Sequence, residues 1–417
     1  MASVGIERRV EPALAHQAPA LPIAILLCAL AMVAEGFDAY SIGFAAPIIT
    51  REWGTSPALL GIMFAGNVLT SALGTMGAGP VAELYGRKRP LAAALLAFGI
   101  STLATAHVTD LVQLTVVRTF SSLALGASVP LAVMLACDLV APRARGTVAA
   151  VMSASIPVGI VASSLSASVL VPAYGWPALM YAGGILALLV AAPIFLIVDE
   201  PVRTVAPLKP QLQLRFLFTG SHCRKMILCL LAMTVIYAAS FFFNFWLPAL
   251  LAKRSDSMRD VALITALAQS LSPIGAFMAG RAMDRRGIPA LATAFVASAI
   301  VMVPGVMFGS SFTALSIGVC CICLVMNGAF GGAIAMPAFL FPAELRATAL
   351  SFSIGFARLV GGSIGPAFGG WMIARDMPTA AIALAFAPPL LIAGVILFNS
   401  GRCMVSTQTP DIRVRTH

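Results

Sequence analysis

Charge is what this chain has least of. Asp, Glu, Lys and Arg make up 10% of its 417 residues, against about 25% in soluble proteins. Hydrophobic residues make up 60%. No soluble fold of this length has an interior that hides so much apolar surface, so hydrocarbon must cover part of it. Histidine is almost as scarce. His16, His107, His222 and His417 fall in termini or polar connections, which argues against a histidine proton relay within a membrane. Nucleotide-binding Gly-Lys-Ser loops and His-rich clusters are missing, so ATP-driven work, a metal and enzyme chemistry are not expected, nor is any organic cofactor. The cysteines at 28, 137, 223, 229, 320, 321, 323 and 403 lie in apolar segments or in connections on one side. A disulfide framework is therefore not expected.

The net charge of +10 would suit nucleic acid, but its distribution does not. Of the 26 Lys and Arg residues, 19 fall in one alternating set of termini and connections, among them Arg87, Lys88, Arg89, Arg143, Arg145, Arg224, Lys225, Arg285 and Arg286. The opposite set holds only Arg51, Lys253, Arg254, Arg259 and Arg375, while Arg118 and Arg358 lie inside apolar runs. That is the positive-inside pattern, and it puts both termini and the central connection in the cytoplasm. The first apolar stretch, from about Leu21 to Ile49, is too long for the core of a signal peptide.

A bilayer core takes about 20 residues of helix. Spans are expected at 22–49, 57–82, 90–107, 111–139, 147–172 and 177–198, then at 226–252, 259–283, 290–309, 312–341, 347–374 and 379–399. The stretch 199–225, with Pro201, Pro207 and Pro210, reads as a cytoplasmic linker, and 1–21 and 400–417 as cytoplasmic tails. The fold class is all-α, with twelve transmembrane helices in two six-helix bundles. The halves match at an offset of 201 residues: Gly79 with Gly280, Glu83 with Asp284, Gly86 with Gly287, Arg145 with Arg346, and Phe44 and Pro47 with Phe245 and Pro248. Parallel repeats of this kind bind substrate near the midplane, between the halves.

Between the second and third spans runs Gly79-Pro-Val-Ala-Glu83-Leu-Tyr-Gly86-Arg87-Lys88-Arg89, and a degenerate copy runs from Gly280 through Asp284 to Gly287. Its glycines suit a tight turn and close helix approach. At these residues the chain resembles the major facilitator superfamily, over nearly its whole length. The resemblance implies alternating access by rocking of two bundles. It also implies a conformational latch at Gly79, Glu83, Gly86 and Arg87, echoed at Asp284, with Glu83 where the family usually has Asp.

The first span carries Glu35-Gly36-Phe37-Asp38. An acid inside a membrane helix costs about 2.5–3.5 kcal/mol on insertion scales, and two acids three apart share a face. Such a pair suits a proton carrier. Followed by Ser41-Ile-Gly43-Phe-Ala-Ala46-Pro47, this run resembles the aromatic acid:proton symporters. So do the stretches around Arg118 in the fourth span and Arg358 in the eleventh. Arginine keeps its charge and offers a bidentate fork to carboxylates. Arg358 is expected to attract a substrate carboxylate, and Arg118 to support the helix-1 acids while also facing the substrate.

Asp138 with Arg145, and Glu344 with Arg346, stand at equivalent span ends, where they read either as gates that exchange ion pairs or as helix-end caps. Asn67, Ser71, Asn244, Gln269 and Asn327 are candidate polar cavity residues, and Tyr40, Phe241, Phe242, Phe243 and Trp246 candidate aromatic walls. The function these features imply is proton-coupled uptake of a small organic anion, an aromatic carboxylate, across a bacterial cytoplasmic membrane, by a chain acting as a monomer. Protons would be the coupling ion. Antiport efflux is the alternative, but efflux antiporters resembling this family carry Gly-x-x-x-Gly-Pro-x-x-Gly-Gly in the fifth span. Here that pattern occurs only at Gly361–Gly370, where it reads as a packing device. A non-transporting membrane sensor would not need the intramembrane acids.

Overall fold

The computed structural model describes residues 21–141, 144–200, 217–253, 255, 257–307, 312–341 and 343–405. These form thirteen helices: α1 Leu21–Glu52, α2 Pro57–Tyr85, α3 Lys88–Thr105, α4 Leu111–Asp138, α5 Arg145–Tyr174, α6 Pro177–Ile197, α7 Gly220–Ala252, α8 Met258–Ser270, α9 Ser272–Arg286, α10 Ile288–Met307, α11 Phe312–Leu340, α12 Ala343–Ala374 and α13 Thr379–Val405. Each expected span has a helical counterpart. Eight runs, from Leu21–Glu52 to Thr313–Ile334, are long and apolar enough to cross a membrane.

The ends and one interior differ from expectation. Helix α7 starts at Gly220, inside the expected linker, and α13 runs on past 399 to Val405. The eighth span is broken into α8 and α9 at Leu271. The cause is Pro273, which has no N–H to give the carbonyl four residues back. Most of the linker, 201–216, and residues 1–20 and 406–417 of the outer tails lie outside the described residues.

The chain forms two compact units, one of residues 1–45 with 70–205 and one of 46–69 with 206–417. In the first, Leu91, Leu95 and Phe98 of α3, Leu131 and Leu135 of α4, and Val190 and Ile194 of α6 form a core with many alanines between them. In the second, the indole N–H of Trp246 donates to the Pro366 carbonyl at 2.9 Å, and Phe64 stacks on Phe245 at 4.7 Å. The segment 46–69, early in the chain, clusters with this second unit through such contacts. Large side chains such as Leu84, Val112, Leu189 and Leu196 are more than two-thirds exposed. Apolar exposure this extensive is untenable in water and suits lipid.

Without a hydrophobic force between helices in lipid, close packing depends on small residues. A Cβ on Gly74 of α2 would overlap the Leu123 carbonyl of α4, and a Cβ on Gly275 of α9 would overlap the Leu324 carbonyl of α11. These two glycines are 201 residues apart, so the internal repeat is carried by backbone approach. The seam expected at Gly361–Gly370 is also a packing device: Gly361 and Gly365 lie against the Thr234 and Ala238 carbonyls of α7. Gly77, one turn from Gly74, has nothing within 4 Å of its would-be Cβ. Gly74→Val should therefore destabilise the protein by about 1–3 kcal/mol through overpacking, while Gly77→Val should leave stability near wild type. Thermal unfolding in detergent checks this, and equal shifts for the two variants would refute it.

Candidate functional site

Helix α4 is started by Asp110, whose carboxylate accepts from the Gln113 N–H at 2.9 Å. Seven residues into the helix, about 10 Å along its axis, stands Arg118. Its guanidinium is 3% exposed and meets Asp38 of α1, itself 1% exposed. The contact is bidentate: Nη1 to Oδ1 at 2.7 Å and Nη2 to Oδ2 at 2.8 Å. Charge-assisted hydrogen bonds of this kind are roughly twice as strong as neutral ones, and the fork-to-fork geometry fixes their orientation. Thr102 of α3 donates its hydroxyl toward Asp38 Oδ1 at 3.4 Å and lies 3.2 Å from the Ser121 hydroxyl of α4. Three helices thus converge on one carboxylate. Glu35, one turn before Asp38, is also buried, at 8% exposure. Ser41, one turn after Phe37, donates to the Phe37 carbonyl and lies 3.0 Å from the Ser163 hydroxyl of α5.

Thr102, Ser121 and Ser163 were not singled out from sequence. A signal existed for Ser121: it follows Arg118 by three residues and so shares its helix face. Tyr40, expected at a cavity wall, is packed into the first unit at 1% exposure.

The second unit gathers polar side chains at the broken span. The Ser272 hydroxyl donates to Gln269 Oε1 at 3.0 Å, and Asn327 Nδ2 donates to the Ser272 hydroxyl at 2.9 Å. Gln269 and Asn327 were expected candidates, and Ser272, the link between them, was missed. Its position beside Pro273 at a helix break was the legible hint. Trp246, expected as an aromatic wall, is 1% exposed, donates its N–H to the Pro366 carbonyl, and lines a small cavity with Pro47, Thr50 and Lys253. Asn67 is buried, and Asn244 and Arg358 are half-buried. Cys320 and Cys323 stand one turn apart on α11, but no cluster of three potential metal ligands occurs among the described residues.

The loop between α2 and α3 is the third locus. Gly86 has φ +87°, its partner in the repeat, Gly287, has φ +63°, and each donates its N–H to the carbonyl four residues earlier. The Glu200 carboxylate, which follows α6, accepts from the backbone N–H groups of Arg87 at 2.6 Å and Lys88 at 3.0 Å. It caps the α3 N-terminus, where a negative charge also meets the positive helix end. The Arg87 side chain reaches Asp138 at the end of α4 at 2.9 Å. Arg145 instead donates to the Cys137 carbonyl at 3.1 Å.

Of the expected latch and gate residues, Gly86, Arg87 and Asp138 come together, with Glu200 as an unforeseen fourth member. Gly79 has open space where a Cβ would go, so close approach does not demand glycine there. Asp284 is exposed. The side chains of Glu83, Glu344 and Arg346 lie outside the described residues.

A family model described as Major Facilitator Superfamily matches residues 28–366. The chain is 28% identical over 382 residues to the 4-hydroxybenzoate transporter PcaK of Pseudomonas putida, covering 83% of this chain and 84% of the relative. It is 27% identical to the gallate transporter of Pseudomonas putida, covering 93% of each. The fold matches that of a bacterial homolog of the human lysosomal transporter Spinster, in an inward-facing, unoccupied conformation, with a TM-score of 0.76 at 17% identity over 93% of this chain and 98% of that one.

Gly86→Val would both strain a positive φ and push into the Glu200 carboxylate. It should slow transport severalfold while substrate affinity stays within about twofold, because the loop touches neither Asp38 nor Arg118. Glu200→Ala should do the same more mildly, since losing a helix cap costs about 1 kcal/mol. Initial uptake rates and equilibrium binding on the two variants provide the check. A loss of affinity with an intact maximal rate would move these residues into the substrate site.

Proposed function

The chain belongs to the major facilitator superfamily, a family of membrane transporters and not of enzymes, and we propose that it takes up a small aromatic carboxylate, of the benzoate type, in symport with protons by alternating access. The substrate class follows the relatives named above. The coupling rests on one observation, the buried Asp38–Arg118 pair.

Two charges out of water are tolerable only together. Removing one partner of a buried pair costs about 3–5 kcal/mol, because the other is left uncompensated. Protonating Asp38 does that to Arg118 without any mutation. The cost is relieved if a substrate carboxylate takes the place of the Asp38 carboxylate on the guanidinium. Proton and anion then favour each other's binding, and linkage makes the effect reciprocal. The charge of the site is the same before and after: Asp⁻ with Arg⁺ becomes neutral Asp, Arg⁺ and substrate⁻. A proton gradient thereby loads the anion on the acidic side and releases it on the other. Thr102 and Ser121 hold the Asp38 carboxyl in place, and Glu35 on the same face modulates it. Arg358 is assigned the role of attracting the anion. Gln269, Ser272 and Asn327 are suited to substrate hydroxyl groups.

Asp38→Asn fixes the protonated-like form. Reconstituted in vesicles, it should bind 4-hydroxybenzoate and exchange it across the membrane, yet lose accumulation driven by a pH gradient, by tenfold or more. Arg358→Ala should lose anion binding itself. If Asp38→Asn still accumulates substrate, the coupling assignment fails, and if wild type expels substrate when protons flow inward, the uptake reading fails.

A further inference from the structure

Outside the site just described, the first unit has a cavity of about 610 Å3 on the surface shared by α2, α3 and α4. Gly77 and Val81 of α2, Ala94 and Ala97 of α3, and Phe120 and Ala127 of α4 line it. Phe120 is 63% exposed and Val81 40%. The cavity therefore opens outward on the apolar face. Its one hydroxyl group, on Ser101, donates to the Ala97 carbonyl at 2.7 Å and so makes no demand on an occupant.

Shape narrows the occupant. Along α3 the lining runs from Pro90 to Ser101, about 16 Å at 1.5 Å per residue. The groove is open along its outer side, and its lining is apolar from end to end save for Ser101, which suits a hydrocarbon chain.

Charge narrows it further. The α2–α3 loop closes one end of the groove. Its Arg87 is held by Asp138, and the Lys88 ammonium lies over the Phe195 ring at 5.8 Å. Arg89 is exposed and has no ion-pair partner among the described residues. It sits one helical turn before Ala93, which also lines the groove, so it stands at the groove's mouth. Tyr85, 67% exposed, stands one turn beyond Val81 on the same stripe of α2. An open apolar groove that ends at an uncommitted guanidinium and a phenol matches an amphiphile with a long tail and an anionic head. We propose that this groove binds one acyl chain of an anionic phospholipid, with its phosphate held by Arg89 and Tyr85 beside it.

The test uses the full-length protein purified in detergent and phosphatidylglycerol or phosphatidylcholine as probes. Native mass spectrometry should show retention of phosphatidylglycerol over phosphatidylcholine. Arg89→Ala should weaken phosphatidylglycerol retention about fivefold, the worth of one basic residue at an anionic surface, and remove the preference. Gly77→Leu should weaken retention of both lipids, because its added bulk enters the open groove. Phosphatidylglycerol with a photoreactive acyl chain should label wild-type peptides containing Ile100 or Phe120, which needs no variant to fold. Labelling elsewhere, equal retention of both lipids by wild type, or wild-type retention in both variants would overturn the proposal. So would a wild-type dimer that Gly77→Leu dissolves, since a second copy would then be the occupant.

Discussion

A charge inside a membrane helix has to be answered by another charge, and here Asp38 and Arg118 answer each other with two hydrogen bonds of 2.7 and 2.8 Å. Much of the first unit follows from this contact. It fixes the register of α1 against α4 and draws Thr102 of α3 to the same carboxylate. Because both partners are almost fully buried, neither can change its charge alone without leaving the other stranded. On the coupling proposed above, a site with that property responds to a proton and to an anion as one event.

The repeat makes the asymmetry of this chemistry visible. Packing features recur at the 201-residue offset: Gly74 and Gly275 both press on a neighbouring helix's carbonyl, and Gly86 and Gly287 both take a positive φ. The charges inside the apolar runs do not recur. The counterparts of Asp38 and Arg118 are Ala239 and Val319, and the counterpart of Arg358 is Pro157. Both units keep the architecture, while the ion pair belongs to the first and the polar knot of Gln269, Ser272 and Asn327 belongs to the second. The first unit pairs its buried charges, while the second combines Arg358 with a neutral cluster of hydrogen-bonded side chains.

How much of this was legible in the sequence varied with the kind of signal. Long apolar runs gave the spans, because hydrocarbon thickness admits few alternatives. Asp38, Arg118, Gly86, Arg87 and Asp138 were recognisable because a charge in an apolar run, or a glycine among bases, is conspicuous. Their neighbours were not. Thr102, Ser163 and Ser272 are ordinary residues on apolar helices, and only tertiary packing tells such a hydroxyl from one that bonds its own preceding turn, as Ser101 does. Glu200 looked like linker, since its partners, the N–H groups of Arg87 and Lys88, are more than a hundred residues away. For Trp246, the Pro366 carbonyl that takes its N–H could not be anticipated from composition. The break at Leu271 was the exception: Pro273 announced it, but the hydropathy of 259–283 masked the signal.

The central claim is that a substrate carboxylate replaces Asp38 on Arg118 as Asp38 takes up a proton. The most direct measurement is the number of protons the purified protein absorbs when it binds 4-hydroxybenzoate near neutral pH, obtained by calorimetry in buffers of different ionisation enthalpy. The account predicts uptake of about one proton per bound anion in wild type and none in Asp38→Asn. Binding without proton uptake in wild type, or the same uptake in both proteins, would contradict it.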